Sequence, residues 1–137
     1  MQRGFNILIV DDEPEMCWVL ENILQREGHN TVSITSGKEA LEVCDKSSFE
    51  LAFLDAKLPD VDGIELAKLI KQKNKNIRVI IISGYYYQDA EAIQRGLVNG
   101  CFSGFVGKPF KLDDIRLAIK STLSLNSGIA SGLRPSQ

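Results

Sequence analysis

Short apolar runs alternate with longer amphipathic segments along most of this chain. The runs are rich in valine, isoleucine, leucine and phenylalanine, and lie at residues 5–10, 31–34, 51–54, 79–82 and 105–106. After each run, apolar residues recur at three- and four-residue steps, the period of a helix with one buried face. Strands separated by helices pair in parallel, because each helical connection returns the chain to the same edge of the sheet. The pattern predicts an α/β domain with five parallel strands and five helices.

Local signals mark where several helices begin and end. Pro14 fits the first turn of the first helix, where a missing N–H costs little, and Gly28 ends that helix. Ser36 and Glu39 have the Ser-x-x-Glu spacing of a capping box, and Asp62 is a second cap signal. The predicted helices are therefore bounded by their own local sequence.

Size and charge narrow the class of protein. A chain of 137 residues has room for one hydrophobic core. Its 16 basic and 18 acidic side chains give a formal charge of −2, which predicts no direct binding of nucleic acid. No segment approaches the roughly 20 apolar residues of a membrane span, so no membrane association is expected. The composition turns to Ser, Gly, Asn and Pro near the end, which predicts a domain over residues 1–125 and a tail or linker over 126–137.

The cysteines and the N-terminus favour a cytoplasmic location. Cys17, Cys44 and Cys101 are odd in number, far apart and never in a C-x-x-C pair. Free thiols in a reducing compartment are therefore expected, rather than disulfides or a zinc site. Met1 leads almost directly into the first strand, without the pattern of a signal peptide.

Chemically reactive side chains stand immediately beyond the apolar runs. Asp11 and Asp12 follow the first run, and Asp55 follows the third. Ser83 follows the fourth run and Lys108 the fifth. In an open parallel sheet the carboxyl ends of the strands share one edge, where ligands bind. Three carboxylates, a hydroxyl and an amine from distant parts of the chain are therefore expected to converge.

A group of neighbouring carboxylates needs a compensating positive charge. Two such groups about 4 Å apart repel by roughly 4 kcal/mol at an effective dielectric constant of about 20. Mg²⁺ suits this site, because it prefers oxygen ligands and combines one or two carboxylates with water and phosphate. Lys108 adds a compact charge for a phosphoryl oxygen, and an aspartate is itself a nucleophile. The residues alone indicate Mg²⁺-dependent phosphoryl chemistry on an aspartate.

Five motifs in one order carry a resemblance to a known family. They are Asp11-Asp12-Glu13-Pro14, Asp55, Leu58-Pro59-Asp60-Val61-Asp62-Gly63, Ser83-Gly84 and Phe105-Val106-Gly107-Lys108-Pro109-Phe110. Over residues 6–123 the chain resembles the receiver domain of a two-component response regulator. The resemblance implies a flavodoxin-like fold, a doubly wound parallel sheet with the strand order 2-1-3-4-5.

The resemblance also implies an acceptor and a metal site. Asp55 would accept a phosphoryl group from a histidine on a partner kinase. Asp12 and Asp55 would bind Mg²⁺ directly, and Asp11 would bind it through water. The backbone carbonyl of Lys57 would complete the ligand set.

Three further residues take roles by the same resemblance. Lys108 would contact the phosphoryl group, and the Lys108–Pro109 peptide bond is cis in the family. Ser83 would be the switch hydroxyl; its alternative is a turn-forming serine. Phe105 would be the switch aromatic; its alternative is a plain core phenylalanine. The segment 100–108 is one residue longer than is usual in the family.

Two features have more than one interpretation. Glu13 either adjusts the properties of the pocket or interacts favourably with the positive end of the first helix. We prefer the second interpretation. The aromatic residues 85–87 form either an exposed contact surface or a packed loop. Within this segment, Tyr85 pairs in the family pattern with Lys57, and a bulky pair at these positions would shield the phosphoryl group from water.

The function implied is a phosphorylation-controlled signalling module with Mg²⁺ as its cofactor. A sensor histidine kinase or phosphotransfer protein would phosphorylate Asp55. The surface of the fourth helix, fifth strand and fifth helix would then control an output domain or partner. The implied outcomes include regulation of transcription and formation of a homodimer on phosphorylation. Such a module is not an enzyme beyond its own phosphorylation and dephosphorylation.

Three rival functions use similar parts. A haloacid-dehalogenase-like phosphatase needs an acidic residue two positions after its nucleophile, where this chain has Lys57. An FMN electron carrier needs a phosphate loop after the first strand, where this chain has carboxylates. A pseudo-receiver, a scaffold that works without phosphorylation, remains the alternative, although the complete set of reactive residues disfavours it.

Overall fold

The computed structural model describes residues 4–84 and 90–127, and strands and helices alternate throughout these ranges. The strands are β1 (Asn6–Val10), β2 (Asn30–Ile34), β3 (Leu51–Asp55), β4 (Arg78–Ser83) and β5 (Gly104–Gly107). The helices are α1 (Pro14–Arg26), α2 (Gly37–Lys46), α3 (Gly63–Lys73), α4 (Ala90–Asn99) and α5 (Leu112–Ser127). Neighbouring strands pair in parallel, in the order β2-β1-β3-β4-β5. The predicted class, the numbers of strands and helices, and the implied strand order are confirmed.

The ends of the elements agree closely with the sequence pattern. Every strand begins and ends within one residue of its predicted run. Helix α5 continues to Ser127 and so crosses the predicted boundary between residues 125 and 126. The division into a domain and a tail stays a prediction.

Both faces of the sheet are covered, and each face has its own core. On the face of α2 and α3, buried side chains include Leu8, Val10, Leu54, Leu66, Ile70 and Ile81. On the face of α1 and α5 they include Ile7, Ile9, Leu20, Phe53, Ile82 and Ile115. Each large apolar side chain buried in this way contributes about 1.5–3 kcal/mol. Coverage on both faces explains why the central strands are continuously apolar instead of alternating.

Two helix starts are capped as their sequences predict. Ser36 Oγ accepts a hydrogen bond from the Glu39 amide and donates one to Glu39 Oε1, both at 3.2 Å. Asp62 Oδ1 accepts from the Ile64 amide at 2.8 Å. The bonds from the Glu39 and Ile64 amides satisfy donors that have no partner within the first turn of a helix.

The register of the sheet brings the reactive side chains to one edge. Where β1 pairs with β3, the residues directly before Asp11 and Asp55 stand opposite each other. Where β3 pairs with β4, Asp55 stands opposite the residue before Ser83. Ser83 in turn stands opposite the residue before Lys108. The strand ends are therefore staggered by no more than one residue along this edge.

Strand β5 is short and lies at the end of the sheet. It follows a connection in which Phe102 is buried against Gly96 of α4, where a Cβ atom would overlap the ring. After the strand, the Lys108–Pro109 peptide bond is cis, as the resemblance implied.

The described residues bear on the expectations about membrane spans and about cysteines. Across 4–84 and 90–127, no helix has both the length and the apolar character needed to cross a bilayer. Cys17, Cys44 and Cys101 carry free thiols, as predicted, and Cys17 is buried.

Candidate functional site

Three aspartates meet at the carboxyl edge of the sheet. Ligand oxygens of Asp11, Asp12 and Asp55 all lie within 4.8 Å of one another. Asp11 and Asp55 are 1 % and 7 % exposed, whereas Asp12 is exposed to solvent. The predicted convergence of the carboxylates is confirmed, and it combines two buried groups with one that faces outward.

The ammonium group of Lys108 lies among these carboxylates. Its Nζ atom is 3.0 Å from Asp11 Oδ2 and 3.4 Å from Asp55 Oδ2. A third carboxylate oxygen, Glu13 Oε1, is 3.2 Å away. The backbone amide of Lys108 donates to the Ser83 carbonyl at 2.9 Å. The predicted convergence therefore extends to the amine, which is shared among three carboxylates from two segments of the chain.

Glu13 contacts the pocket, which supports the first of the two interpretations that the sequence left open, while its position at the start of α1 is compatible with the second. Glu13 occupies the N-cap position of α1, but its side chain contacts Lys108 instead of bonding to the first turn, within the part of the chain described. Its backbone amide donates to Asp11 Oδ1 at 2.9 Å. Glu13 thus helps to order both Asp11 and Lys108.

Burial and charge set the acid–base properties of the site. Burial raises the pKa of Asp55 to about 6, against the effect of a hydrogen bond from the Lys57 amide. The charge of Asp11 raises this pKa further, and that of Lys108 lowers it. For Lys108, burial acts to lower the pKa, but the hydrogen bond and charge of Asp11 outweigh burial and raise it. Lys108 therefore stays charged, and the charge of Asp55 changes as the pH passes through its pKa of about 6.

The donor set fits a hard divalent cation. All the side-chain donors in the cluster are carboxylate oxygens, the ligand type that Mg²⁺ and Ca²⁺ prefer. Besides burial, which is the largest cause, the charge of Asp11 raises the pKa of Asp55, and a bound cation would offset this repulsion. The residues present therefore fit Mg²⁺.

The segment after Asp55 folds back on the strand that carries it. The Lys57 amide donates to Asp55 Oδ1 at 3.2 Å. Lys57 and Asp62 form an isolated antiparallel bridge, and the Gly63 amide donates to the Ala56 carbonyl at 2.8 Å. Residues 57–62 therefore form a closed loop, which we call the acceptor loop, beside the carboxylate of Asp55.

Ser83 and Phe105, the two residues expected to change conformation, lie on β4 and β5. Ser83 is buried at the end of β4, next to the backbone of Lys108. Phe105 is half-buried in β5 and packs against the core on the face of α2 and α3. Tyr85, which was expected to shield the phosphoryl group together with Lys57, lies outside the described residues.

Asp60 is part of one family motif, but the sequence alone indicated no role for its side chain. In the structure its carboxylate binds two backbone amides at the start of α2. These partners lie 22 and 23 residues earlier in the chain, so a local spacing rule has no signal for the contact.

A family model matches most of this chain. The model of the response regulator receiver domain matches residues 7–120. The chain belongs to this family. As a receiver domain, it is a phosphorylation-controlled signalling module of two-component systems.

Relatives of this receiver domain include a short protein and a much longer one. It is 39% identical over 121 residues to sporulation initiation phosphotransferase F of Bacillus subtilis, covering 88% of this chain and 95% of that protein. It is 31% identical over 124 residues to the DNA-binding transcriptional regulator NtrC of Escherichia coli, covering 90% of this chain. The receiver domain spans only 26% of NtrC.

Among solved structures, the receiver domain is similar to the response regulator TrrA of Thermotoga maritima in complex with Mg(2+)-BeF. The TM-score is 0.73 at 30% sequence identity, and the match covers 84% of this chain and 96% of that one. A relative with the same fold thus holds magnesium.

Proposed function

We propose that Asp55 is the phosphoacceptor of this receiver domain, and that its donor is a histidine on a sensor kinase or phosphotransfer protein. The observation that carries the proposal is the clustering of Asp55 with Asp11 and Asp12 within 4.8 Å, beside the ammonium of Lys108. The similarity to a sporulation phosphotransferase supports a phosphoryl-transfer role.

The transfer exchanges one bond to phosphorus for another. A carboxylate oxygen of Asp55 attacks the phosphorus atom and forms an O–P bond while the N–P bond to the histidine breaks. The imidazole keeps the electron pair of the broken bond and takes up a proton. Attack requires the ionised carboxylate, and a pKa of about 6 leaves Asp55 mostly ionised above neutral pH.

Asp12, Asp55 and the backbone carbonyl of Lys57 are the proposed direct ligands of Mg²⁺, and Asp11 is proposed to bind it through water. When bound, Mg²⁺ offsets the negative charge of the carboxylates and of the phosphoryl oxygens. The exposure of Asp12 gives the site an open side from which the ion and the donor can enter.

Lys108 is proposed to hold the transferred group. Its Nζ atom lies 3.4 Å from Asp55 Oδ2, so a phosphoryl group on Asp55 comes within reach of the ammonium. Because Lys108 remains charged, it can trade its contact with Glu13 for a contact with a phosphoryl oxygen.

Phosphorylation is proposed to shift the population of two states of the surface formed by α4, β5 and α5. Ser83 is the switch hydroxyl and Phe105 the switch aromatic in this proposal. A groove of about 600 Å³ between β5 and α5 supports it, because Lys108, Phe105 and Leu117 all contribute to its lining. A change at Lys108 is therefore next to a surface where a partner can bind.

The remaining assignments concern the context of the module. We propose that it acts in the cytoplasm, consistent with free thiols at its three cysteines, and that it catalyses only its own phosphorylation and dephosphorylation. Its output is a partner protein or a further domain, and the similarity to NtrC favours control of transcription without direct nucleic-acid contact by this domain. A homodimer formed on phosphorylation and a tail or linker over residues 126–137 complete the proposal.

Intact-mass spectrometry with Mg²⁺ and acetyl phosphate tests the acceptor. We expect one added phosphoryl group on the parent, and none on Asp55→Asn or on the parent in EDTA. An adduct that persists in Asp55→Asn would contradict the assignment of Asp55.

The alternative function is a pseudo-receiver that acts as a scaffold without phosphorylation. It predicts no adduct with acetyl phosphate and no response to beryllofluoride with Mg²⁺. A titration with beryllofluoride, followed by the fluorescence of Trp18 on α1, separates this alternative from a receiver that is selective for its donor.

A further inference from the structure

The acceptor loop is attached to α2 by a carboxylate. Asp60 Oδ1 accepts a hydrogen bond from the Gly37 amide, and Asp60 Oδ2 accepts one from the Lys38 amide, both at 3.0 Å. Gly37 is the first residue of α2, so its amide and the next have no partner within the helix. One side chain of the acceptor loop therefore satisfies two amides of a different element.

The contact between the loop and the helix is close as well as polar. Gly37 is buried, and a Cβ atom at this position would overlap Val61 Cγ1 of the acceptor loop. The hydrogen bonds from Gly37 and Lys38 hold the pKa of Asp60 below its usual range, so the carboxylate stays ionised at the positive end of α2.

The other side of the same loop faces the phosphoacceptor. The Lys57 amide donates to Asp55 Oδ1, and the bridge between Lys57 and Asp62 closes the loop on itself. A displacement of Asp60 would therefore be transmitted through a short closed segment to the backbone of Lys57.

We propose that Asp60 is a positioning residue for the acceptor site. By anchoring the acceptor loop to the start of α2, it sets the position of the Lys57 backbone, whose amide bonds to Asp55 and whose carbonyl is a proposed ligand of Mg²⁺. The part that concerns Mg²⁺ rests on the proposed function; the part that concerns the amide does not. Groups that orient metal ligands in this indirect way typically contribute about 10- to 100-fold to metal affinity.

The chain offers a matched control for this proposal. Ser36 caps the same end of α2 through the Glu39 amide, and its described hydrogen bonds are with Glu39 rather than with the acceptor loop. Loss of either cap weakens the start of α2, whereas only the loss of Asp60 releases the loop. Comparison of Asp60→Ala with Ser36→Ala therefore separates positioning from helix stability.

Two readouts test the proposal on the full chain. The first is hydrogen exchange of the Lys57 amide without metal, which we expect to accelerate about tenfold in Asp60→Ala and to stay at the parent rate in Ser36→Ala. The second is the Mg²⁺ dissociation constant by calorimetry, which we expect to rise at least tenfold in Asp60→Ala only. Asp60→Asn keeps one acceptor oxygen and should give a smaller change in both, and it serves as the test variant if Asp60→Ala does not fold.

Each outcome supports or overturns a specific statement. Parent-like exchange at Lys57 and parent-like Mg²⁺ binding in Asp60→Ala would overturn the positioning role, as would equal losses in Ser36→Ala. A parent chain that binds no Mg²⁺ would overturn the proposed function instead. In that case accelerated exchange at Lys57 would still support the anchoring of the loop by Asp60.

Discussion

The site has a carboxylate side and a lysine side, and they are built on different parts of the sheet. The carboxylate side, formed by Asp11, Asp12 and Asp55, follows β1 and β3, which have neighbouring strands on both edges. The lysine side, formed by Phe105 and Lys108, belongs to β5 and the residue after it, and β5 pairs with β4 at the end of the sheet.

The two sides also differ in how firmly they are held. Every residue of β3 is buried, and Asp55 receives a hydrogen bond from the Lys57 amide. Strand β5 has four residues, and Val106 is the buried one among them. Local opening costs less where fewer apolar contacts are lost. The comparison teaches that Asp55, the proposed acceptor, is held by a buried strand, whereas the lysine side has fewer buried contacts to lose if it rearranges.

Among the substitutions considered, removal of the Lys108 ammonium is expected to change the free energy of unfolding most. Lys108→Met would leave Asp11 and Asp55 together without their cation, and we expect the free energy of unfolding in EDTA to fall by about 3 kcal/mol. Mg²⁺ should restore most of this loss, because it replaces the missing charge. Urea unfolding with and without Mg²⁺ measures both effects. Lys111→Met, at an exposed position, is the control, and an equal loss there would contradict a specific role for Lys108.

Neutralising Asp55 should raise the free energy of unfolding, the opposite of the effect expected for Lys108→Met. The pKa of Asp55 rises from 3.8 to about 6 on folding, so protonation stabilises the fold below about pH 4 and this contribution is lost as the pH rises through 6. Asp55→Asn imitates the protonated form. We expect it to raise the free energy of unfolding without metal by about 2 kcal/mol at pH 7.5. The gain should disappear near pH 4, and a gain that is constant with pH would contradict an electrostatic origin.

The affinity for Mg²⁺ should depend on pH through the same carboxylate. Protons and Mg²⁺ compete for Asp55, whose pKa is about 6. We expect the dissociation constant to be nearly constant above pH 7 and to rise up to about tenfold per pH unit below 6. Calorimetric titrations between pH 5 and 8 measure this profile. A flat profile would show that Asp55 is not a ligand.

The smallest expected effect concerns the rim of the pocket. Glu13 contacts Lys108, but its side chain is 60 % exposed, so solvent screens the pair. We expect Glu13→Gln to lower the free energy of unfolding by less than about 1 kcal/mol. Asp45→Asn is the matched control, because Asp45 pairs with Lys73 at the same exposure of 60 %. A much larger loss for Glu13 than for Asp45 would place Glu13 among the firmly held groups.

Local sequence was sufficient wherever a signal and its consequence lie within a few residues. The cap formed by Ser36 and Glu39 follows from a spacing of three residues, and its hydrogen bonds are present. The convergence of Asp11 with Asp55 needs one further rule, that parallel strands end at a common edge. Both predictions are confirmed. The first depends only on the sequence at the start of one helix, and the second only on the strand pattern and on the parallel arrangement of the strands.

The two contacts that sequence reasoning missed span long distances along the chain. Glu13 and Lys108 are 95 residues apart, and Asp60 lies 23 residues from Gly37. Helix-end preferences favoured a local role for Glu13, whereas in the structure its side chain pairs with Lys108, which only the packing of β5 brings near. No spacing along the chain encodes such a choice.

The sequence by itself determined the alternating elements, the edge at which the reactive groups meet and the chemistry available there. Apolar periodicity reflects the burial of each element, and the polar residues at the strand ends are adjacent to those patterns. Only the tertiary structure decided that Lys108 is shared by Asp11, Glu13 and Asp55, and that Asp60 anchors the acceptor loop to α2. The physical reason is that these distances, and the raised pKa of Asp55, depend on how separate strands and helices pack together.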